Sequence, residues 1–139
     1  MANILLVDSS GLLAALDAGE PDHRRITELL QSDRRPLILT DFVIAEVDYL
    51  ILRRLGIKAE QDFIDQLLAG IFLREPITDK DLVRARTISA QYGEHQLGLT
   101  DSTLMALCER FNTSDILTLD HRHFGIFRKA QGQALKLLP

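Results

Sequence analysis

The sequence predicts an α/β fold, a three-layer α/β/α sandwich around a central parallel sheet, and three observations predict it. Short apolar runs of strand length, NILLV, LIL and ILTL, recur along the chain. They are apolar at successive positions rather than at alternate ones, as in strands buried on both faces of a parallel sheet. Segments with helical apolar spacing lie between them, giving the strand–helix alternation that such sheets require.

Taken in order, Asn3 to Val7 reads as the first strand, ended by the turn residues Asp8-Ser9-Ser10-Gly11. Helical patterns follow around Leu12–Leu16 and around His23–Leu30, the second opened by Pro21-Asp22. Beyond Pro36, Leu37 to Leu39 is a second strand. Thr40 is placed to N-cap a helix that stops near Gly56. A further helix, from about Glu60 to Leu68, carries Phe63, Ile64, Leu67 and Leu68 on one stripe. Ile71 to Leu73 forms a third strand, ended by Pro76. Thr78 and Asp81 have the spacing of a capping box for a helix reaching about Gln91. YGEHQLGLT is a polar loop, after which Thr100 caps a helix with Leu104, Leu107 and Cys108 facing inward. Ile116–Leu119 and Ala134–Leu138 supply the fourth and fifth strands. No repeat, linker or low-complexity tract interrupts this pattern, so residues 1–139 are expected to form a single domain.

Composition narrows the functional classes. With 46% hydrophobic and 26% charged residues, the chain has a globular rather than a disordered balance. No apolar run approaches a membrane span, and MANILLVDSS lacks the basic region and cleavage site of a secretory leader. The one cysteine, Cys108, excludes an internal disulfide and suits a core position in a reducing cytoplasm. A net charge of −4 gives no global electrostatic footprint for nucleic acid. Arginines nevertheless outnumber lysines twelve to four, which suits local bidentate contact with phosphate.

Four carboxylates stand in apolar company. Asp8 follows NILLV and Asp120 follows ILTL, so both project from the carboxyl edge of the sheet, where functional groups of such folds gather. Each alone reads better as a turn or capping aspartate. Asp101 lies in the first turn of its helix, where an acid satisfies the helix dipole without binding anything. Glu46 sits within TDFVIAEVDYLILRRLG, a helix apolar on nearly all faces and therefore expected to be buried. Phe42, Tyr49 and Leu50 fall near it on the helix face and Asp48 nearly opposite. Arg53 is its alternative partner, although a seven-residue separation exceeds the usual contact spacing. Converging carboxylates without a cation would repel one another. A divalent ion resolves the conflict, and an oxygen-only cluster favours Mg²⁺ or Mn²⁺ over zinc. Carboxylate-held Mg²⁺ is suited to attack on phosphodiesters.

The strand ending in Asp8, TDFVIAEV with Glu46, and GLTDSTLMALCERFNTSDILTLDHRHF with Asp101 and Asp120 together resemble the PIN domain, and within it the VapC ribonuclease toxins of type II toxin–antitoxin systems. The resemblance spans nearly the whole chain. It implies a PIN-like fold, with Asp8, Glu46, Asp101 and Asp120 as metal-binding and catalytic acids. Thr118, two positions before Asp120, and Ser9 are expected to support them. It also implies Mg²⁺-dependent cleavage of RNA (single-stranded or tRNA-like), a homodimer, and inhibition by a cognate VapB-type antitoxin. Ser102 departs from the family pattern, where alanine is common, and adds a hydroxyl near the site.

Other features remain open. His121, Arg122 and His123 beside Asp120 are candidate RNA contacts at the rim or simply an exposed loop, and their spacing matches no zinc motif. The pairs Arg24-Arg25, Arg34-Arg35 and Arg53-Arg54 are candidate phosphate or antitoxin contacts. A receiver-like phospho-accepting module would need further acids at the first strand and a late lysine, whereas Asp8 is followed by two serines. A haloacid dehalogenase-type phosphatase would need an acid where Ser10 stands. A PIN-domain nuclease in RNA maturation is the nearer alternative.

Overall fold

The computed structural model describes residues 3–139. Within them β1 (Leu5–Val7), every residue of which is buried, runs through the centre of a parallel sheet. It is flanked by β2 (Leu37–Leu39) and β4 (Asp115–Leu117). The edges are β3 (Leu73–Arg74), paired to β2, and β5 (Lys136–Leu138), paired to β4. The strand order is β3-β2-β1-β4-β5. Connections therefore step outward from β1 on one side and then on the other. The gap between the carboxyl ends of β1 and β4 is the switch point where such sheets open a crevice.

The helices are α1 (Ser9–Leu16), α2 (His23–Ser32), α3 (Asp41–Leu55), α4 (Ile57–Leu68), α5 (Asp79–Gln91), α6 (Leu99–Arg110) and α7 (His121–Ile126). Helices α1 to α4 pack on one another, and α6 packs on α5 and α7. The right-handed sense general to parallel crossovers places the two groups on opposite faces of the sheet. The buried side chains of strands and helices form one apolar cluster, with Leu6, Leu39 and Ile116 from the sheet and Leu104, Leu107 and Cys108 from α6. Burial pushes the Cys108 thiol up to about 12, so it stays a packed, uncharged group.

Local signals hold at several helix ends. Thr40 Oγ1 accepts from Val43 N–H at 3.3 Å, and α3 stops at Gly56, whose φ of 91° favours glycine. Thr78 and Asp81 form a reciprocal capping box. Other boundaries move. Helix α1 begins directly after Asp8, α4 begins at Ile57, and β3 lies at Leu73–Arg74 rather than Ile71–Leu73. Both residues of β3 are exposed, so apolar character is a poor guide to that edge strand. Thr100 does not cap α6: the N-cap is Gly98, and Thr100 lies inside the first turn. Helix α3 is not buried on all sides either. Only Val43, Val47 and Ile51 are buried, while Tyr49, Leu52 and Leu55 are exposed.

Gly11 sets how closely α1 approaches β4. A Cβ there would lie 2.7 Å from the carbonyl oxygen of Leu117, a contact that only backbone movement could relieve. Gly11→Ala is expected to cost about 1–3 kcal/mol. Thermal unfolding should show a Tm lower by several degrees, because α1 must shift away from β4 to relieve the contact.

Candidate metal centre

The four acids named from the sequence line one cavity of about 290 Å³, together with Ser9, Ser10, Gly98, Leu99, Thr100 and His123. The cavity opens at the carboxyl ends of β1 and β4. Asp8 reaches it because its backbone N–H continues the sheet ladder onto Leu117 O, 2.9 Å away, so the next atoms of the chain emerge at the strand end. Asp8 is the N-cap of α1, yet its side chain makes no capping bond. Instead Ser10 Oγ donates to Asp8 Oδ2 at 2.9 Å and Thr118 Oγ1 donates to the same oxygen at 2.8 Å. Asp8 is only 4% exposed, and burial raises its pKa, partly offset by these donors and by the Ser9 backbone and reinforced by the Asp120 charge.

Asp101 enters from the first turn of α6. Its side chain is 17% exposed, and its Oδ2 lies 2.7 Å from His123 Nδ1. Burial and the negative charge of Asp8 push its pKa up to about 6 against the pull of His123. Asp120 does cap a helix: its Oδ1 accepts from His123 N–H at 2.9 Å, while its Oδ2 lies 3.2 Å from His123 Nδ1. Its own N–H donates to Thr118 Oγ1 at 3.0 Å. Thr118 thereby links Asp8 to Asp120.

Glu46 differs from its sequence reading. It is exposed rather than buried, and Arg53 is not its partner, since Arg53 donates to Tyr49 Oη at 2.6 Å. Glu46 Oε2 accepts from Thr100 Oγ1 at 3.1 Å, so the carboxylate forms the opposite wall of the cavity. Ser10 rather than Ser9 is the serine that holds Asp8 beside Thr118, and its Oγ also accepts from Leu119 N–H at 2.9 Å. Ser9 lines the cavity, but its buried Oγ has no hydrogen-bond partner. His121 and Arg122 are exposed and stand outside the cavity lining, whereas His123 is part of it. Ser102 is buried and donates to Gly98 O at 2.9 Å, a bond within the helix start rather than with the acids.

Two observations fit these residues to a divalent ion. Asp8 and Asp101 are held in a partly desolvated cavity where the charge of Asp8 disfavours ionisation of Asp101 and that of Asp120 disfavours ionisation of Asp8, a conflict a cation removes. Donor atoms of Asp101, Asp120 and His123 also lie within 4.8 Å of one another, close enough to share one ion.

A model of the PIN domain matches residues 5–131. The chain belongs to the PIN domain family. It is 33% identical over 135 residues to Ribonuclease VapC26 of Mycobacterium tuberculosis, covering 97% of this chain and all of that protein. Among solved structures it is similar to VapC20 of Mycobacterium tuberculosis, a Sarcin-Ricin loop cleaving toxin, with TM-score 0.78 and 20% identity over 86% of this chain and 92% of that one. It is also similar to VapBC2 from Rickettsia felis bound to a DNA fragment from its promoter, with TM-score 0.67 and 15% identity over 96% of each chain. At these identities the solved structures establish a shared PIN fold. Among the described residues, no helix of this PIN chain is long and apolar enough to cross a membrane.

Proposed function

We propose that residues 1–139 form a single PIN domain that hydrolyses RNA with a divalent ion, Mg²⁺ or Mn²⁺, as the toxin of a VapBC-type pair. The observation that carries this reading is the gathering of Asp8, Asp101, Asp120 and Glu46 around one cavity at the sheet's switch point. The 33% identity to a VapC ribonuclease over the whole chain supports the choice of RNA as substrate. The VapBC structure that shares the fold supports an antitoxin partner. A structured RNA such as tRNA is the proposed target, and the reducing cytoplasm the proposed setting.

A bound ion would supply an acidified water and neutralise charge on the phosphate. The chain's own residues would do the rest. Asp8, fixed by Ser10 and Thr118, presents its carboxylate without reorganisation. Asp101 and Asp120 face it from α6 and from the end of β4, and Glu46 closes the outer wall beside Thr100. His121 and Arg122, exposed on the first turn of α7, are the proposed phosphate contacts. No side chain has to act on the ribose 2′-hydroxyl. Cleavage should therefore leave 5′-phosphate and 3′-hydroxyl ends, stop in EDTA and resume with Mg²⁺ or Mn²⁺. A 2′,3′-cyclic phosphate product, or full activity in EDTA, would refute the mechanism.

The homodimer is proposed on the exposed apolar side chains of α3 and α4, Tyr49, Leu52, Leu55, Ile57, Ile64 and Leu68, the last 78% exposed. Such a patch marks an interaction surface. Light scattering is expected to give a dimer at micromolar concentration and a monomer for the Leu55→Asp/Ile64→Asp variant. A monomeric wild type would contradict this assignment.

A further inference from the structure

The compact donor group in the cavity is not made of oxygen alone. Of the four acids, Asp101 and Asp120 contribute to it, and its third member is a ring nitrogen of His123. His123 Nδ1 stands 2.7 Å from Asp101 Oδ2 and 3.2 Å from Asp120 Oδ2. Adjacent ligands of an octahedral ion, each about 2.1 Å from it, lie roughly 3.0 Å apart. The two distances from His123 Nδ1 bracket that separation, and the donor atoms of all three residues lie within 4.8 Å of one another.

The ring is aimed there by its own helix. Asp120 Oδ1 accepts from the His123 N–H, which fixes the first turn of α7, and from there the imidazole reaches Asp101 on α6. The remaining histidines do not line this cavity. His23 Nδ1 lies 2.7 Å from Ala14 O, in a different part of the fold.

We infer that His123 Nδ1 is a ligand of the ion, alongside Asp101 and Asp120, and that this mixed nitrogen–oxygen set favours a first-row transition ion over Mg²⁺. The inference rests on the metal-dependent reading above and adds the nature of the donor set to it. Imidazole binds transition ions readily and Mg²⁺ poorly, since Mg²⁺ keeps to oxygen. Removing the ring should therefore penalise Mn²⁺ more than Mg²⁺.

The test is Mn²⁺ binding to the full-length protein, read by calorimetry and by electron spin echo modulation of the bound ion. The expected result is ¹⁴N modulation from a directly bound imidazole in the wild type, absent in His123→Asn. Mn²⁺ affinity should fall by more than about 100-fold in that variant, beyond what loss of a supporting group costs a metal site, with a smaller loss for Mg²⁺. Wild-type protein that binds Mn²⁺ without ¹⁴N modulation would overturn the inference while leaving the metal-dependent nuclease standing. Modulation that persists in a folded His123→Asn variant would overturn it as well. Wild-type protein that binds no Mn²⁺ would overturn the metal reading and the inference together. The wild-type spectrum alone decides the matter if the variant does not fold.

Discussion

Asp101→Asn is expected to reduce RNA cleavage by more than about 100-fold, the upper end of what loss of a mere supporting group costs a metal site, while the fold survives. The exchange keeps the shape of the side chain, and an amide oxygen can still face His123 Nδ1. What it removes is the charge that a cation would neutralise. Asp8→Asn should behave alike. Both hydroxyls that address Asp8 donate to Oδ2, and an asparagine can turn its carbonyl oxygen to receive them. Glu46→Gln should cost less, since Glu46 is exposed and sits on the outer wall. Activity on a labelled RNA, with far-UV circular dichroism as the control for folding, checks all three. Near-wild-type rates with normal metal dependence in Asp101→Asn would remove it from the set of ligands.

The second large effect is on stability in the absence of metal. The folded pKa of Asp101, about 6, lies above its ordinary value of 3.8, so the folded state holds this proton more tightly than the unfolded chain does. Stability from this source is fully present below the ordinary value and is lost as pH rises through about 6. The shift corresponds to a contribution on the order of 2–3 kcal/mol. Asp8, also raised, acts in the same direction. The carboxylates held low, Asp33 by Arg35 and Asp81 by Thr78 and then Arg110, lose their contribution only as pH falls below the normal carboxylate range, outside this window. Metal-free protein should therefore melt higher at pH 5 than at pH 7.5, by roughly 5–10 °C. Asp101→Asn should flatten that dependence and raise the metal-free Tm at pH 7.5. Saturating Mn²⁺ should reverse its sign, because ion and proton compete for the same oxygens. A metal-free Tm that rises steadily from pH 5 to pH 7.5 would contradict the crowded-carboxylate description.

What could be read from the sequence was local or strongly periodic. NILLV is apolar without alternation, Thr40 precedes a helix, and Thr78-x-x-Asp81 is a capping box, so each signal lies within a few residues of its effect. The edges of the site were legible for the same reason, since an acid directly after a buried strand has one place to go. Positions that depend on tertiary contact were not legible. Glu46 looked buried because its helix is apolar all round, but exposure depends on what packs against that helix, and α3 leaves Tyr49, Leu52 and Leu55 uncovered. Ser9 and Ser10 are indistinguishable by type, and only the crossing of α1 over β4, set by Gly11, brings Ser10 to Asp8 and Thr118. The sequence places His123 on the rim or in an exposed loop because its spacing matches no zinc motif, and α7, with six residues, is too short to show a period. The sequence signal that could have placed it is the three-residue spacing from Asp120, which is that of a cap bonding its third helical residue.

The central claim is that this cavity holds a divalent cation, and anomalous diffraction from crystals of the active protein grown with Mn²⁺ tests it most directly. The expected result is an anomalous peak inside the cavity, within coordination distance of Asp101 and Asp120 and facing Asp8. A Mn²⁺ peak only elsewhere on the molecule, or none at saturating Mn²⁺, would contradict it.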